Sequence, residues 1–544
     1  MAVPKRVLLL ASAAISFFFH RYAAAPVFFF FAKERYVANG VAVFFGLVCV
    51  QWCWGIVVYP LFLSPLRALP TPGDSHFLLG HFGRIFREPT GEPQRDWIDQ
   101  VPNDGVLYYR WLFNEPRVLV TNPKALGEVL VQRSYEFVKP ARIRDGLGRL
   151  LGVGILLAEG DEHKRQRKLL MPAFNFRHVK DLYPIFWSKS QEMTSQISAT
   201  IKSSPDASSV IEVRDWASRA TLDIIGVAGM GKDFDSITNP ENELFETYRK
   251  IFGSNRGAQI LQLVLQMLPH WVAVNLPLKR NDEIGNAIGT IKKVAGDLIR
   301  DKREKLKSGQ AKDMDILSVA MESGGFTDTD LVNQLMTFLA AGHETTASAL
   351  SWAVYCLCQH PATQARLRQE IRTELASALQ PGGQISSTEI DKLPYLNAVL
   401  QETNRIFPPV PLTLRETATD TTIQSHFIPR GTTVVICPWA INTSTHLWGP
   451  DARQFKPERW LQPGTANTGG AESNYAITTF LHGPRSCIGK EFAKAEFACL
   501  VAALVGRFEM AFEEEGYQLQ IQGGITARPK GGLRVRLKEV DVEG

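Results

Sequence analysis

The chain has 544 residues, 45% of them hydrophobic and 21% charged, with a formal net charge of +5. That balance suits a globular protein with a large core, and no dense Lys/Arg block with interleaved aromatics appears, which argues against a nucleic-acid partner. The seven cysteines form no Cys-x-x-Cys pair and are odd in number, which argues against a disulfide framework or zinc site and for a reducing compartment.

The first elements are apolar. Residues 7–32 contain His20, Arg21 and Pro26, and Val7–Phe19 alone is too short to span a bilayer. This segment reads as a second span, a re-entrant piece or part of a signal sequence. Residues 41–59 carry no charge and approach the length of about 20 residues that a spanning helix needs. Trp52, Trp54 and Tyr59 sit at one end, where aromatic side chains suit the membrane interface. A cleaved signal peptide is disfavoured, because 41–59 would still stop transfer. Residues 1–59 therefore read as a membrane anchor of one or two spans. Pro60, Pro65, Pro70 and Pro72 then predict a stiff, non-helical hinge over 60–73. From 74 to 544 no linker or repeat divides the chain, so one domain is expected.

Within that domain, Val106–Trp111 and Arg117–Thr121 flank Asn114-Glu115-Pro116 like a hairpin. Residues 258–278 are apolar but interrupted by Gln259, Gln262, Gln266, Pro269, His270 and Pro277. They read equally as a core helix or a monotopic membrane contact. Thr327 and Asp330 form a capping-box pattern, and the helical sequence behind it runs to His360, where Pro361 stops it. Such a helix is roughly 45 Å long at about 1.5 Å per residue. It contains Ala341-Gly342-His343-Glu344-Thr345-Thr346. Gly342 costs about 1 kcal/mol against alanine in a helix interior; its missing side chain would let a flat ligand or dioxygen lie against the backbone. Thr345 can bond back to a carbonyl one turn earlier and open the helix locally. The plainer alternative is a buried core helix with Glu344 paired elsewhere. Farther on, Glu402 and Arg405 share one helix face at i, i+3. Ile423–Val435 supplies strands, and Thr526–Leu533 a last turn.

Residues 480–489 read Phe-Leu-His-Gly-Pro-Arg-Ser-Cys-Ile-Gly. Phe492, Phe497, Leu500, Val501 and Leu504 follow at helical spacing, so Cys487 sits just before a helix N-terminus. The free N–H groups and macrodipole there favour a thiolate, and Gly483 and Gly489 permit tight turns on either side. A thiolate on such a loop can be an axial ligand to haem iron. Less economical readings are a cysteine hydrolase using Cys487 with His482, or a non-catalytic haem or lipid carrier.

The decapeptide resembles the haem-binding signature of the cytochrome P-450 monooxygenases, matched at Phe480, Gly483, Arg485, Cys487 and Gly489. Three further motifs resemble the same family: the hexapeptide at 341–346, its oxygen-activation motif; Glu402–Arg405, its E-x-x-R helix; and Phe455–Trp460, its P-E-R-F motif with Trp460 as the final aromatic. The resemblance implies a mainly α fold with a small β-rich lobe and haem b held by the Cys487 thiolate. It implies that Thr345 donates a hydrogen bond to dioxygen while Glu344 helps relay protons. It implies a buried triad of Glu402, Arg405 and Arg459 that holds the haem-loop core. It also implies that His163 (in place of the usual Trp), Arg167, Arg415 and Arg485 bind the haem propionates. His343 fills a variable position and receives no catalytic role.

The anchor, the hinge and the Leu447–Asp451 run are similar to fungal microsomal members. This implies an endoplasmic reticulum membrane location with a cytosolic catalytic domain, and membrane lipid as a partner. The implied reaction inserts one oxygen atom of O2 into a lipophilic small molecule such as a terpenoid or polyketide secondary metabolite. The electrons come from NADPH through a separate cytochrome P-450 reductase, with a cytochrome b-type donor as an alternative source. Lys164, Arg165, Lys168, Lys490 and Lys494 then read as a docking patch for that acidic donor. A reductase-independent isomerase, dehydratase or peroxygenase is the alternative. The pocket is expected to be lined by 137–157, 258–278, 333–341, 410–414 and 523–526.

Overall fold

Helix α1 (Tyr36–Cys53) is the first element of the computed structural model, which describes residues 36–203, 209–253, 270–308 and 315–540, with Ser12, Leu261 and Val264 besides. It is followed without a break by a π-helical segment, Trp54–Leu63, that contains Pro60. The helix therefore does not stop at Tyr59 as expected. A proline removes one i→i−4 bond, and the wider π turn absorbs that loss. Val41–Ala68 is long and apolar enough to cross a membrane, and none of its most apolar stretch is buried.

The proline-rich hinge also differs from expectation. Pro65–Ala68 is a 3-10 turn. Leu66 and Leu69 are buried in the core of the β lobe, and the Tyr108 N–H donates to the Pro70 carbonyl at 2.8 Å. The segment is thereby pinned to the domain. Residues 7–32, apart from Ser12, lie outside the described residues, as does most of 258–269. Leu261 in that second stretch is buried.

The β lobe is a five-stranded sheet. Strands β1 (Val106–Arg110) and β2 (Pro116–Val120) form the expected hairpin, in the register Val106↔Val120. Next come β3 (Phe137–Val138), β4 (Thr413–Thr417) and β5 (Thr433–Ile436), in the spatial order β1-β2-β5-β4-β3, with only β2–β5 parallel. Valine, leucine and isoleucine on these strands bury with Trp97 and Trp439 in one core. β-branched residues suit such a pleated, buried surface.

The helical lobe has the larger core. Its relevant helices are α2 (Ala141–Leu151), α3 (Gly160–Leu170), α4 (Val213–Met230), α5 (Glu243–Phe252), α6 (Asp328–Gln359), α7 (Pro394–Ile406) and α8 (Lys490–Arg507). Helix α6 starts at the expected capping box: the Thr327 side chain accepts from the Asp330 N–H, and Asp330 accepts from the Thr327 N–H. It ends before Pro361 and stays α-helical throughout, so Thr345 does not open it. It packs along α4, with Leu335, Leu339, Leu350 and Leu357 buried alongside Leu222 and Ile225.

Helix α8 is buried continuously from Ala495 to Gly506, and Glu496 lies in the middle of that run. Neither carboxyl oxygen has a hydrogen-bond partner. Burial pushes its pKa well above the ordinary 4.5; the nearby Thr346 hydroxyl donates to the Gly342 carbonyl instead. A raised carboxyl contributes no penalty below the unfolded value and an increasing one as pH rises above it. The penalty grows by about 1.4 kcal/mol per pH unit while the group stays protonated. Glu496→Gln removes the titration. The variant should match the wild type near pH 4.5 and unfold at progressively higher temperature than it between pH 5 and 8, as read by thermal unfolding.

Candidate active site

The Cys487 loop is closed by its own backbone. The Cys487 N–H donates to the Phe480 carbonyl at 2.9 Å. Gly483 has φ +75°, and a Cβ there would collide with the Leu130 carbonyl, so only glycine fits. Gly489 carries no such demand: its φ is −88° and a Cβ would make ordinary contact with Phe174 at 3.6 Å. Its N–H instead points at the Cys487 sulfur, and with Arg167 and Lys490 it draws the thiol pKa down. Burial outweighs these and pushes the thiol up, so the helix N-terminus alone does not supply a thiolate. Cys487 nevertheless remains exposed, so its sulfur can be reached. His482 is engaged elsewhere: its Nε2 bonds the Ile477 carbonyl at 2.7 Å and its ring meets Tyr475. That geometry does not serve a Cys–His hydrolase.

Around Arg485 the structure gathers a surplus of buried positive charge. The Arg485 guanidinium is buried and donates to the Phe137 and Ala158 carbonyls, both at 3.2 Å, and to the Glu159 carboxylate. Arg415, from β4, is buried and makes its bonds to the Thr413 hydroxyl and its neighbouring carbonyl of Leu414. Lys139, just past β3, lies close enough that burial, with Arg415 and Arg485, brings its pKa down to about 7. Burial, followed by the charge of Arg485, brings that of Arg415 down to about 10. His163, on α3, is buried, and burial and then Arg485 take its pKa down to about 4. It is therefore neutral at pH 7. Tyr135 stands 3.1 Å from its Nδ1; with the hydroxyl donating there, Nε2 carries the proton and can donate in turn. Arg167 donates to the Ser486 carbonyl at 2.7 Å, beside Cys487.

Glu159 is the only carboxylate bonded to this group among the described residues, and Arg485 Nε is buried with no partner at all. Buried cations without counter-charge are costly. An anion with two carboxylates, as haem carries, answers that deficit, so the residues present fit the group.

Helix α6 faces this loop with one side. Phe338, Ala341 and Thr345 share a face at i, i+3 and i+7. The Phe338 ring packs on Phe174 at 5.7 Å, and Phe174 borders Gly489. Thr345 and Ala341 are partly accessible in a helix otherwise largely buried here, and the Thr345 hydroxyl donates to the Ala341 carbonyl at 2.9 Å. Gly342 does not leave room for a flat ligand: a Cβ there would meet Ile225 of α4 at 3.0 Å. Its smallness serves helix packing. His343 bonds the Leu339 carbonyl and lies on the Tyr248 ring at 4.7 Å. Glu344 points elsewhere again. Both its oxygens accept from Arg214 at 2.9 Å, one accepts from the Thr526 hydroxyl at 3.0 Å, and Arg528 lies 3.6 Å away. Together with Arg214, Arg528, Trp216 and Tyr248 it lines a cavity of about 520 Å³.

Glu402 collects the third motif. Arg405 donates to both its oxygens at 2.8 Å, and Arg459 Nε and the Lys456 N–H donate at 2.9 Å. The indole N–H of Trp460 adds another bond at 2.9 Å. All three charged side chains are at least nine-tenths buried. Trp460 thus does more than fill the aromatic position. Its N–H was the one available signal that Glu402 has a further donor. Lys139, Tyr135, Glu159, Arg214 and Arg528 carry no motif and are found only through the fold.

Residues 70–534 match the sequence family described as Cytochrome P450. The chain is similar to "Cytochrome P450 monooxygenase sphH" of Aspergillus fumigatus, 46% identical over 93% of this chain and 94% of that protein. It is 43% identical to "Cytochrome P450 monooxygenase FUM15" of Gibberella moniliformis over 91% and 92% of the two chains. It is 37% identical to "Cytochrome P450 monooxygenase buaD" of Petromyces alliaceus over 91% and 92%.

Removing the Glu402 carboxylate strands buried Arg405 and Arg459 together. Glu402→Ala should destabilise the fold by about 3–5 kcal/mol, with Glu402→Gln intermediate. Denaturant unfolding of the cofactor-free and loaded protein measures it. A loss below about 1 kcal/mol, the level of an ordinary exposed pair, would contradict the buried-node account.

Proposed function

Because this chain belongs to the cytochrome P450 family and is a monooxygenase, we propose that it inserts one atom of O2 into a lipophilic secondary metabolite. Its electrons come from NADPH through a separate reductase. The observation that carries this reading is the buried cation surplus around the partnerless Arg485 Nε, set beside a reachable Cys487. Haem, held by the Cys487 thiolate, would supply one-electron and dioxygen chemistry here.

In this reading Arg485, Arg415 and Arg167, with neutral His163 as a donor and Lys139 beside them, hold the two propionates. The pairing restores the charge of Lys139, whose pKa burial otherwise brings down to about 7. Thr345 manages a proton. Its own O–H is held on the Ala341 carbonyl, so its oxygen lone pairs accept from a water, and that water donates onward to dioxygen. Glu344, one position earlier, reaches the cavity on the other side of α6 and passes protons from there. Arg214 and Arg528 hold its carboxylate in place there.

The substrate pocket is closed by a tied loop. The Leu151 carbonyl accepts from Thr337 at 2.9 Å, and the Ile155 N–H donates to Gln334 at 2.9 Å. Such a fixed, mostly apolar wall suits a lipophilic ligand of the terpenoid or polyketide kind. The basic face suits the reductase less strongly than its lysines alone suggest. Asp161, Glu162 and Glu491 pair with Lys164, Arg165, Lys490 and Lys494, leaving Lys168 without an ion pair among the described residues. α1 and the π-helical segment anchor the protein in the endoplasmic reticulum membrane with the catalytic domain cytosolic.

The deciding experiment reconstitutes the protein with NADPH–cytochrome P450 reductase and follows oxygen uptake against product. Turnover without NADPH would favour an isomerase or peroxygenase instead. Cys487→Ala should abolish the thiolate-type carbon monoxide difference spectrum, and its persistence would exclude this ligand. Thr345→Ala should lower product per NADPH by about 100-fold, the lower end of the scale of one lost proton-transfer group, and release hydrogen peroxide. Thr345→Ser should restore much of the coupling. An unchanged ratio in the alanine variant means that Thr345 only packs.

A further inference from the structure

Glu159 stands at the N-cap of α3 and does not cap it. Its backbone is extended, with φ −127° and ψ 160°, yet its side chain makes no bond to the N–H groups of the first turn. A side-chain cap contributes about 1 kcal/mol where Ser, Thr, Asp or Asn supplies it, and the longer glutamate reaches past that role. Asp161 and Glu162 bring negative charge to the first turn instead, where the helix dipole favours it. The Glu159 carboxylate turns inward. One oxygen accepts from the Lys139 N–H at 2.8 Å and the other from the Arg485 guanidinium. One side chain thereby joins the end of β3, the start of α3 and the cysteine loop.

That carboxylate lies among cations. Its side chain is 13% exposed and that of Arg485 4%, so water and salt screen the charge little. Its influence reaches past the residue it bonds. Burial, with Arg415 and Arg485, brings the pKa of Lys139 down to about 7. Burial, with Arg485, brings that of Arg415 down to about 10. In both cases Glu159 is the group that pulls upward. The cradle therefore holds one negative charge of its own against Arg485, Arg415 and Lys139, and that charge sits where a helix end had no need of it.

We propose that Glu159 is a positioning residue that sets the reduction potential of the haem bound in this cradle and holds it low. The inference rests on the function proposed above and deepens it. Reduction takes one electron from the reductase and turns ferric iron ferrous; no bond forms or breaks. A buried negative charge beside the cradle opposes that added electron, and the cations around it favour it. Second-shell hydrogen bonds and burial are levers by which a protein tunes such a potential. Glu159 works both through its own field and through Arg485, whose guanidinium it steadies beside the Phe137 and Ala158 carbonyls. It thus decides how readily the first electron is accepted. A loosened cradle and a changed field are separable, because only a field responds with opposite sign to the loss of a negative and of a positive charge.

The test is a spectroelectrochemical titration of the full chain loaded with haem, in detergent micelles at neutral pH and without substrate. Glu159→Gln keeps the shape and loses the charge. It should raise the midpoint potential, moving the reduction equilibrium several-fold toward the ferrous form. Glu159→Asp keeps the charge and should stay near the wild type. Lys139→Met removes a positive charge from the same cradle while keeping an apolar stem, and should move the equilibrium the other way. An unmoved potential in Glu159→Gln overturns the inference, and so does a shift of the same sign in Glu159→Gln and Lys139→Met. If Glu159→Gln does not retain haem, Lys139→Met decides: a lowered potential supports the field, and an unmoved or raised one overturns it. A wild type without the thiolate-type carbon monoxide spectrum overturns the haem reading itself. A normal spectrum with unmoved potentials overturns only the role of Glu159.

Discussion

The Glu402 carboxylate is the point from which the cysteine loop is positioned. It binds Arg405, and Arg405 carries the constraint onward to the carbonyls of Asn442 and Ala452, at 2.8 and 2.6 Å. The Asn442 side chain then accepts from the Thr478 N–H and donates to the Thr479 hydroxyl, both at 2.8 Å. Thr479 in turn donates to the Asn404 carbonyl at 2.8 Å. The circuit returns to α7 one residue before Arg405 and delivers the chain to Phe480, whose carbonyl takes the Cys487 N–H. Every hydrogen-bonding step is buried or half-buried, so a loosened link leaves an unpaired group in low dielectric rather than a water-bonded one. A loop that must hold one thiol in place gains its order from this circuit more than from its own short turns.

The contrast with Arg485 is physical. Around Glu402 a single carboxylate is saturated by donors, which is the signature of a structural node. Around Arg485, Arg415 and Lys139 the donors outnumber the acceptors and one guanidinium N–H has none. Both clusters are buried and cationic, yet only the second is incomplete by itself. Incompleteness of that sort, with depressed pKa values at Lys139 and His163, separates a binding site from an ion-paired scaffold.

The parts of this architecture that are local in sequence were legible there. Thr327 and Asp330 lie three residues apart, so their reciprocal capping bonds follow from spacing alone. The β1–β2 hairpin follows from alternating apolar residues around a turn. The cysteine decapeptide is equally self-contained. What escaped depends on neighbours far along the chain. In sequence the missing side chain of Gly342 points toward a ligand, whereas Ile225, more than a hundred positions earlier, occupies that side. Pro60 looked like the end of a helix because its effect on backbone hydrogen bonds is local. The donor that compensates it, the Asn114 amide on the Ile56 carbonyl, sits on another element. Glu159 and Lys139 carry no pattern, and only the approach of β3, α3 and the cysteine loop makes them matter.

The hexapeptide 341–346 concentrates this difference. On an α-helix successive side chains turn by about 100°, so adjacent residues cannot share a partner. Gly342 meets Ile225, His343 lies on Tyr248, Glu344 holds Arg214 and Arg528, and Thr346 stands beside the buried Glu496. Thr345 and Ala341, four apart, alone share the face toward Phe338 and the cysteine loop. Helix α6 therefore works as a wall with different chemistry on each side, charged and cavity-lined toward α4 and nearly apolar toward Cys487. Glu344 and Thr345 are adjacent in sequence and yet meet different surroundings, Glu344 the cavity it shares with Arg214 and Arg528 and Thr345 the Ala341 carbonyl on its own helix.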